Sequence, residues 1–229
     1  MFRFFQSPPS DPVVAEYWKG CRKSFSRRAK VEDSHLVVLD AETTGLDRAK
    51  DQLLSLATVA VDRGEMVIGS FREWTIYQPE TEWNQAIEVH GILPSKTAEG
   101  RPESEVIREC LPLFGSHLLV GHHIGFDLCL LNRAMREHCG VKLRNWSLDT
   151  AHLAMQELTA FRRTGYSNQR PPSLEEVCMQ LGIEVVDRHT AAGDTFLTAQ
   201  ILIVLCADLR SRLRRPLRLS DLPIRRPRR

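Results

Sequence analysis

Three short clusters in this chain hold side chains whose types and spacing could do chemistry together. In VVLDAETTGL, residues 37–46, four apolar residues run into Asp40 and Glu42, two carboxylates separated by one alanine. On a strand, residues i and i+2 point to one side, so the two acids project together. Their ionised forms repel unless a proton or cation neutralises them, and hard divalent cations with oxygen ligands do this best. In GHHIGFD, residues 121–127, Asp127 sits where a strand gives way to a helix. In HTAAGD, residues 189–194, His189 and Asp194 bracket small residues that let a ligand or another segment approach closely. Each cluster alone has an ordinary structural explanation. Acids often flank solvated strand ends, a helix dipole favours an acid in its first turn, and most histidines at helix starts are surface residues.

The elements that must position these residues follow from pattern. HLVVLDAE, LLSLATVAVD and SFREWTIYQP read as strands joined by Gly- and Asp-rich turns, which favours an antiparallel meander over residues 35–78. A helix over 103–115, a strand over 118–122 and a helix over 126–138 come next, then a brief strand entering a helix in NWSLDTAHLAMQEL. This alternation implies a mixed sheet flanked by helices. Residues 159–172 read as a loop in which Arg162, Arg163 and Arg170 add charge, and Ser173 with Glu176 forms a capping box for a helix through about 181. The last long helix falls in HTAAGDTFLTAQILIVLCADLR.

At 229 residues and 42% hydrophobic, the chain can build one good-sized core. Its net charge of +2 hides an asymmetry: residues 1–30 carry +5, residues 208–229 carry +7, and the body between them carries −10. Six scattered cysteines with no C-x-x-C pair argue against a disulfide framework or a zinc site. The apolar run at 201–207 is short of the roughly 20 residues a membrane span needs. The N-terminus lacks the sustained apolar stretch of a signal peptide, so a soluble, cytoplasmic protein with no membrane partner is expected. Val14, Tyr17, Trp18 and Cys21 are spaced as the apolar face of a short helix within a basic N-terminal extension.

The ordered conjunction of D-x-E, H-x-x-x-F-D and H-x-A-x-x-D over about 155 residues resembles the DEDDh, or DnaQ-like, exonucleases of the ribonuclease H-like superfamily. The resemblance covers residues 35–207 and extends to DAETTGL, to HGI at 90–92, and to SLDTAHLA and PSLEEVCMQLGI. It implies an α/β fold with a mixed five-stranded sheet, strands 1–3 antiparallel and the rest parallel, flanked by helices. Three parts are expected: a basic helical extension (1–33), the exonuclease domain (34–207) and an arginine-rich tail (208–229) too charged to pack unless bound.

The resemblance assigns Asp40, Glu42, Asp127 and Asp194 as ligands of two divalent cations, Mg²⁺ or Mn²⁺, and His189 as the general base. All five expected residue types are present. It suggests that Thr43, Thr44 and Gly45 line the site while Leu46 wedges beside the terminal base. His90, His122 and Phe126 are further candidates for substrate contact, and His123 stands where a small polar residue is frequent. Asp149 reads as a residue that caps a helix or orders the fold. The activity implied is 3′-to-5′ hydrolysis of single-stranded or frayed nucleic acid to nucleoside 5′-monophosphates, with DNA favoured over RNA. RNA trimming by the same chemistry is the first alternative, and a catalytically silent module holding nucleic acid or a polymerase is the second. The basic tail could recruit nucleic acid or dock an acidic protein such as a polymerase partner. The oligomeric state stays open.

Overall fold

A computed structural model describes residues 9–22, 25–79, 85–162 and 170–227. Arg163 and half of the loop expected over 159–172 lie outside these described residues. At the centre is a five-stranded sheet in the order β3-β2-β1-β4-β5. The strands are β1 (Leu36–Thr43), β2 (Leu53–Asp62), β3 (Glu65–Thr75), β4 (Leu118–Gly121) and β5 (Ser147–Asp149). β1 pairs antiparallel with β2, and β2 with β3, while β4 runs parallel to β1 and β5 parallel to β4. The expected meander and the switch to parallel strands are both present. The sharp turn between β2 and β3 is Arg63-Gly64, with both residues at positive φ.

The helices are α1 (Pro12–Gly20), α2 (Gln85–His90), α3 (Pro94–Ala98), α4 (Glu103–Phe114), α5 (Asp127–Cys139), α6 (Thr150–Glu157), α7 (Leu174–Leu181) and α8 (Ala191–Leu213). Side chains alternate cleanly along β1. Leu36 and Val38 enter a core shared with α6, α7 and α8, whereas Val37 and Leu39 enter a second core shared with α1, α4 and α5. Continuing that parity places Asp40 and Glu42 on the α8 face and Ala41 on the α5 face. β1 is buried on both faces because helices cover both, which is why it reads as a continuous apolar run.

Helix starts follow the predicted chemistry. Ser173 and Glu176 form the capping box of α7, and Asp149 caps α6 by accepting from the Ala151 N–H. The expected N-terminal helix is α1, capped by Asp11, with Val14 and Tyr17 buried against the body. α8 is long and apolar enough to cross a membrane by length and composition, more than the run at 201–207 suggests; 56% of its most apolar window is buried here. It packs along β1 and β2 as a core helix and carries Asp194.

The expected disorder of the arginine-rich tail is corrected. Leu217, Leu219 and Leu222 are buried in the α8-side core, each burial being worth roughly 1.5–3 kcal/mol. The two basic ends also pair with each other: Val31 N–H donates to Leu217, Leu219 N–H to Ala29 and Ser220 N–H to Arg27. Arg225 then exchanges two backbone hydrogen bonds with Ser147 on the edge strand β5. Arg215 is held by both carboxylate oxygens of Asp221 at 2.8 and 2.9 Å. Charge dominates the composition of this segment, but the three leucines decide its fate.

Candidate active site

Four carboxylates from three elements converge at the end of β1. Asp40 and Glu42 project from the strand, with a register irregularity directly after Glu42. Asp194 comes from the first turn of α8, whose N-cap Thr190 accepts from the Gly193 N–H at 3.0 Å. Single oxygens of Asp40, Glu42 and Asp194 lie within 4.8 Å of one another. Asp127 approaches from the opposite layer, in the first turn of α5, where the Ala41 backbone favours its ionised form. It stands outside that tightest group of three, but its charge acts on Asp40, and the charge of Glu42 acts on it.

The electrostatics are those of an uncompleted cluster. Burial, then the charges of Asp127, Asp194 and Glu42, pushes the Asp40 carboxyl well above the usual carboxylate range. Burial and the Asp194 charge raise Glu42 to about 7, and burial followed by the Glu42 charge raises Asp127 to about 7. Burial also raises Asp194. One oxygen of Asp194 is buried without a hydrogen-bond partner among the described residues. An all-oxygen set of repelling acids with an orphaned buried oxygen fits hard divalent cations.

A residue overlooked in the sequence, Arg188, balances part of this charge. Its guanidinium pairs with Asp194 and reaches Glu175 at 3.2 Å. The signal was a cation adjoining the H-x-A-x-x-D cluster, but nothing in the linear text says which way the side chain turns. His189 follows in the same turn at φ 61°, half-buried, and its backbone favours the ionised form of Asp194. The turn lies very close to α8: a Cβ on Gly193 would stand 2.0 Å from the Asp187 carbonyl oxygen, so only glycine fits there.

The remaining candidates separate into two groups. The TTGL turn borders the site, but its threonines are engaged in building it. The Thr43 hydroxyl donates to the Gly45 carbonyl at 2.7 Å and the Thr44 hydroxyl to Asp51 at 2.8 Å. Asp51, which the sequence pattern did not single out, also accepts from the Asp47 N–H and presses against Gly45, where a Cβ would meet it at 2.7 Å. Leu46 is 89% exposed at the tip, free of any packing role. His90 is buried beside Thr43 and accepts from the Ile92 N–H at 3.0 Å; burial holds its pKa below the ordinary value. Phe126, half-buried, opens α5.

His122, a candidate for substrate contact, is engaged within the fold: its two ring nitrogens contact the Thr150 hydroxyl at 2.9 Å and the Pro172 carbonyl at 3.0 Å. Burial pulls its pKa down to about 4, so it is a neutral brace between β4, α6 and the segment before α7. Its neighbour His123, at φ 56°, stays exposed, although its Nε2 reaches the same Pro172 carbonyl at 3.0 Å. The His123 backbone N–H is held by Asp149, which is the cap and organiser expected of it.

A family model described as exonuclease matches residues 37–202. The chain belongs to this family, as a DEDDh exonuclease of the ribonuclease H-like superfamily, and is therefore an enzyme of the 3′-to-5′ exonuclease class. It is 30% identical over 192 residues to the DNA polymerase III subunit epsilon of Aquifex aeolicus, covering 83% of this chain and 90% of that one. It is 32% identical over 181 residues to the PolC-type DNA polymerase III of Halalkalibacterium halodurans, covering 79% of this chain but only 12% of that relative. Among solved structures, E. coli Exonuclease I with a dT13 oligonucleotide matches at a TM-score of 0.62 and 19% identity, covering 79% of this chain and 42% of that one. Exonuclease X with 5′ overhanging duplex DNA matches at 0.55 and 22%, covering 75% and 91%. At those identities the structural likeness supports the fold.

Proposed function

We propose that this protein hydrolyses phosphodiester bonds at the 3′ end of single-stranded or frayed DNA, releasing nucleoside 5′-monophosphates. The observation that carries the proposal is the convergence of Asp40, Glu42 and Asp194, with one Asp194 oxygen buried and unpartnered among the described residues and the Asp127 charge acting on Asp40. Asp40, Glu42, Asp127 and Asp194 would hold two divalent cations, Mg²⁺ or Mn²⁺, whose chemistry when bound is to activate water and stabilise the leaving 3′ oxygen. His189, in the turn that leads into Asp194, would take the proton of the attacking water. Leu46, exposed at the tip of TTGL, is free to lie against the terminal base.

DNA is preferred to RNA because relatives sharing about 30% identity are DNA polymerase III proteins. The same relationship supports a cytoplasmic location and a polymerase as partner. RNA trimming remains the runner-up with identical residues in identical roles.

The test is a degradation ladder on 5′-labelled single-stranded DNA and RNA of matched sequence, with Mg²⁺ or Mn²⁺ and with EDTA. Stepwise 3′ shortening that EDTA abolishes and His189→Ala reduces by at least about a hundredfold is expected. Faster loss of the RNA would reassign the substrate. No cleavage of either, with binding retained, would replace the enzyme by a silent binding module.

A further inference from the structure

The body of the chain carries −10 between its basic ends, so a polyanionic strand approaching the site meets net repulsion unless cations are placed along its path. A groove of about 470 Å³ leaves the start of α5 at Phe126 and runs along that helix to β5 and the C-terminal segment. Arg48, Arg225 and Arg226 line it, with His123 and Asn132 between. The acid in its wall, Asp149, is already held by the N–H groups of His123 and Ala151 and by His152 at 3.1 Å.

In the same tail, Arg215 is neutralised by Asp221. Arg48, Arg225 and Arg226 have no carboxylate partner among the described residues, and all three are exposed. Yet each is held in place. Two backbone hydrogen bonds to Ser147 fix Arg225, and Arg226 lies 5.3 Å over the Trp146 ring, which itself stacks on Phe25 at 4.8 Å. The Arg48 carbonyl accepts from Arg133 of α5 at 3.1 Å, tying the loop after TTGL to the groove wall. Ordering a terminus costs entropy, and exposed cations carried on fixed backbone along one groove are suited to a ligand that brings negative charge at regular intervals.

We propose that this groove is the track for the strand upstream of its 3′ end, with Arg48, Arg225 and Arg226 contacting successive phosphates and Phe126 stacking a base where the track meets the site. The inference rests on the exonuclease reading above, and adds to it a binding role for a C-terminal segment lying outside the family match at 37–202. Aromatic stacking and phosphate contacts together bind single strands with little sequence preference.

The experiment measures binding apart from cleavage. Fluorescence anisotropy of a labelled single-stranded DNA of about 20 nucleotides is titrated against salt in EDTA, for the wild type, for the triple variant R48Q/R225Q/R226Q, and for R48K/R225K/R226K. Each phosphate left without its arginine should flatten the slope of log K against log salt by about 0.7, so the glutamine variant should lose about two and bind at least about tenfold more weakly at low salt. The lysine variant keeps the charges and should keep most of the slope, which separates charge loss from damage to the fold. Equal slopes in wild type and glutamine variant would overturn the track even if the wild type degrades DNA. A flattened slope in a protein that degrades nothing would keep the track and overturn the exonuclease reading. Failure of the wild type to bind the strand would overturn the track.

Discussion

Two buried polar clusters lie on opposite sides of this molecule, and the chain completes one and leaves the other open. Beneath α1, the Tyr17 hydroxyl donates to Asn145 at 2.8 Å and accepts from the Arg144 N–H at 2.9 Å. The Asn145 amide in turn donates to the carbonyls of Phe114 and His117, each at 2.9 Å, and to Gly115 at 3.2 Å. Every donor finds an acceptor, and the network fastens the N-terminal helix to the ends of α4 and β5. At the end of β1 the groups are all acceptors of one charge, one Asp194 oxygen has no partner among the described residues, and Arg188 is the cation the chain supplies. A buried polar group without a partner costs about 1–3 kcal/mol, and a repelling charge costs more. The chain meets this cost with like charges at the end of β1 and avoids it beneath α1, a contrast expected of a site that takes a ligand.

The largest expected effect breaks the open cluster. Asp40→Asn should lower turnover by at least about a hundredfold, since it removes a charge meant to hold the cation. The same substitution should raise the melting temperature of the metal-free protein at pH 8. There the buried Asp40 is costly in either form: ionised it repels three neighbours, and protonated it holds a proton against the solvent. A melting temperature that falls together with activity would show that Asp40 is a structural acid.

Breaking the complete network should do the reverse. Tyr17→Phe removes one hydroxyl and strands both the Asn145 oxygen and the Arg144 N–H, a loss of about 1–3 kcal/mol in a urea melt. Turnover at 25 °C should stay within about twofold, because Tyr17 lies on the α1 side of the sheet, far from the α8 face that carries Asp40 and Glu42. The two substitutions thus move stability in opposite directions and activity unequally, and a shared direction in stability would erase the contrast between the clusters.

What could be read in the linear text divides along similar lines. Local rules carried the strands of the meander, the capping box at Ser173 and the cap at Asp149, because each depends on neighbours within a few residues. The i, i+2 spacing put Asp40 and Glu42 on one side of a strand, while joining them to Asp127 and Asp194 took the family resemblance of three ordered motifs. What failed depends on distant partners. Two adjacent histidines gave no sign that His122 is buried between Thr150 and Pro172, 50 residues away, while His123 stays at the surface. Arg188 drew no notice in the linear text, because its role depends on the side chain pairing with Asp194 of α8. In the tail, nine arginines between 208 and 229 masked the spacing of Leu217, Leu219 and Leu222, whose burial needs the partner segment at 27–31.

The finest discrimination between the clusters comes from pH with and without metal. Glu42 and Asp127, both raised to about 7, keep protons in the folded state that the unfolded chain releases near pH 4. Their contribution to stability is therefore fully present below the unfolded value and is lost as pH rises toward 7. Buried His122 works against this trend, because its folded pKa near 4 leaves the unfolded chain holding the extra proton up to about pH 6.5. A single melting curve would mix the two. The difference between curves recorded with Mn²⁺ and with EDTA removes the histidine contribution, which metal does not touch, and isolates the carboxylates. That difference should grow from about pH 5 to about pH 7, by on the order of 1 kcal/mol per pH unit, as the cation takes the place of the departing protons. In a Glu42→Gln variant the growth should shrink, whereas Tyr17→Phe should leave it as it is. A metal effect independent of pH would mean that the cation binds away from the buried carboxylates.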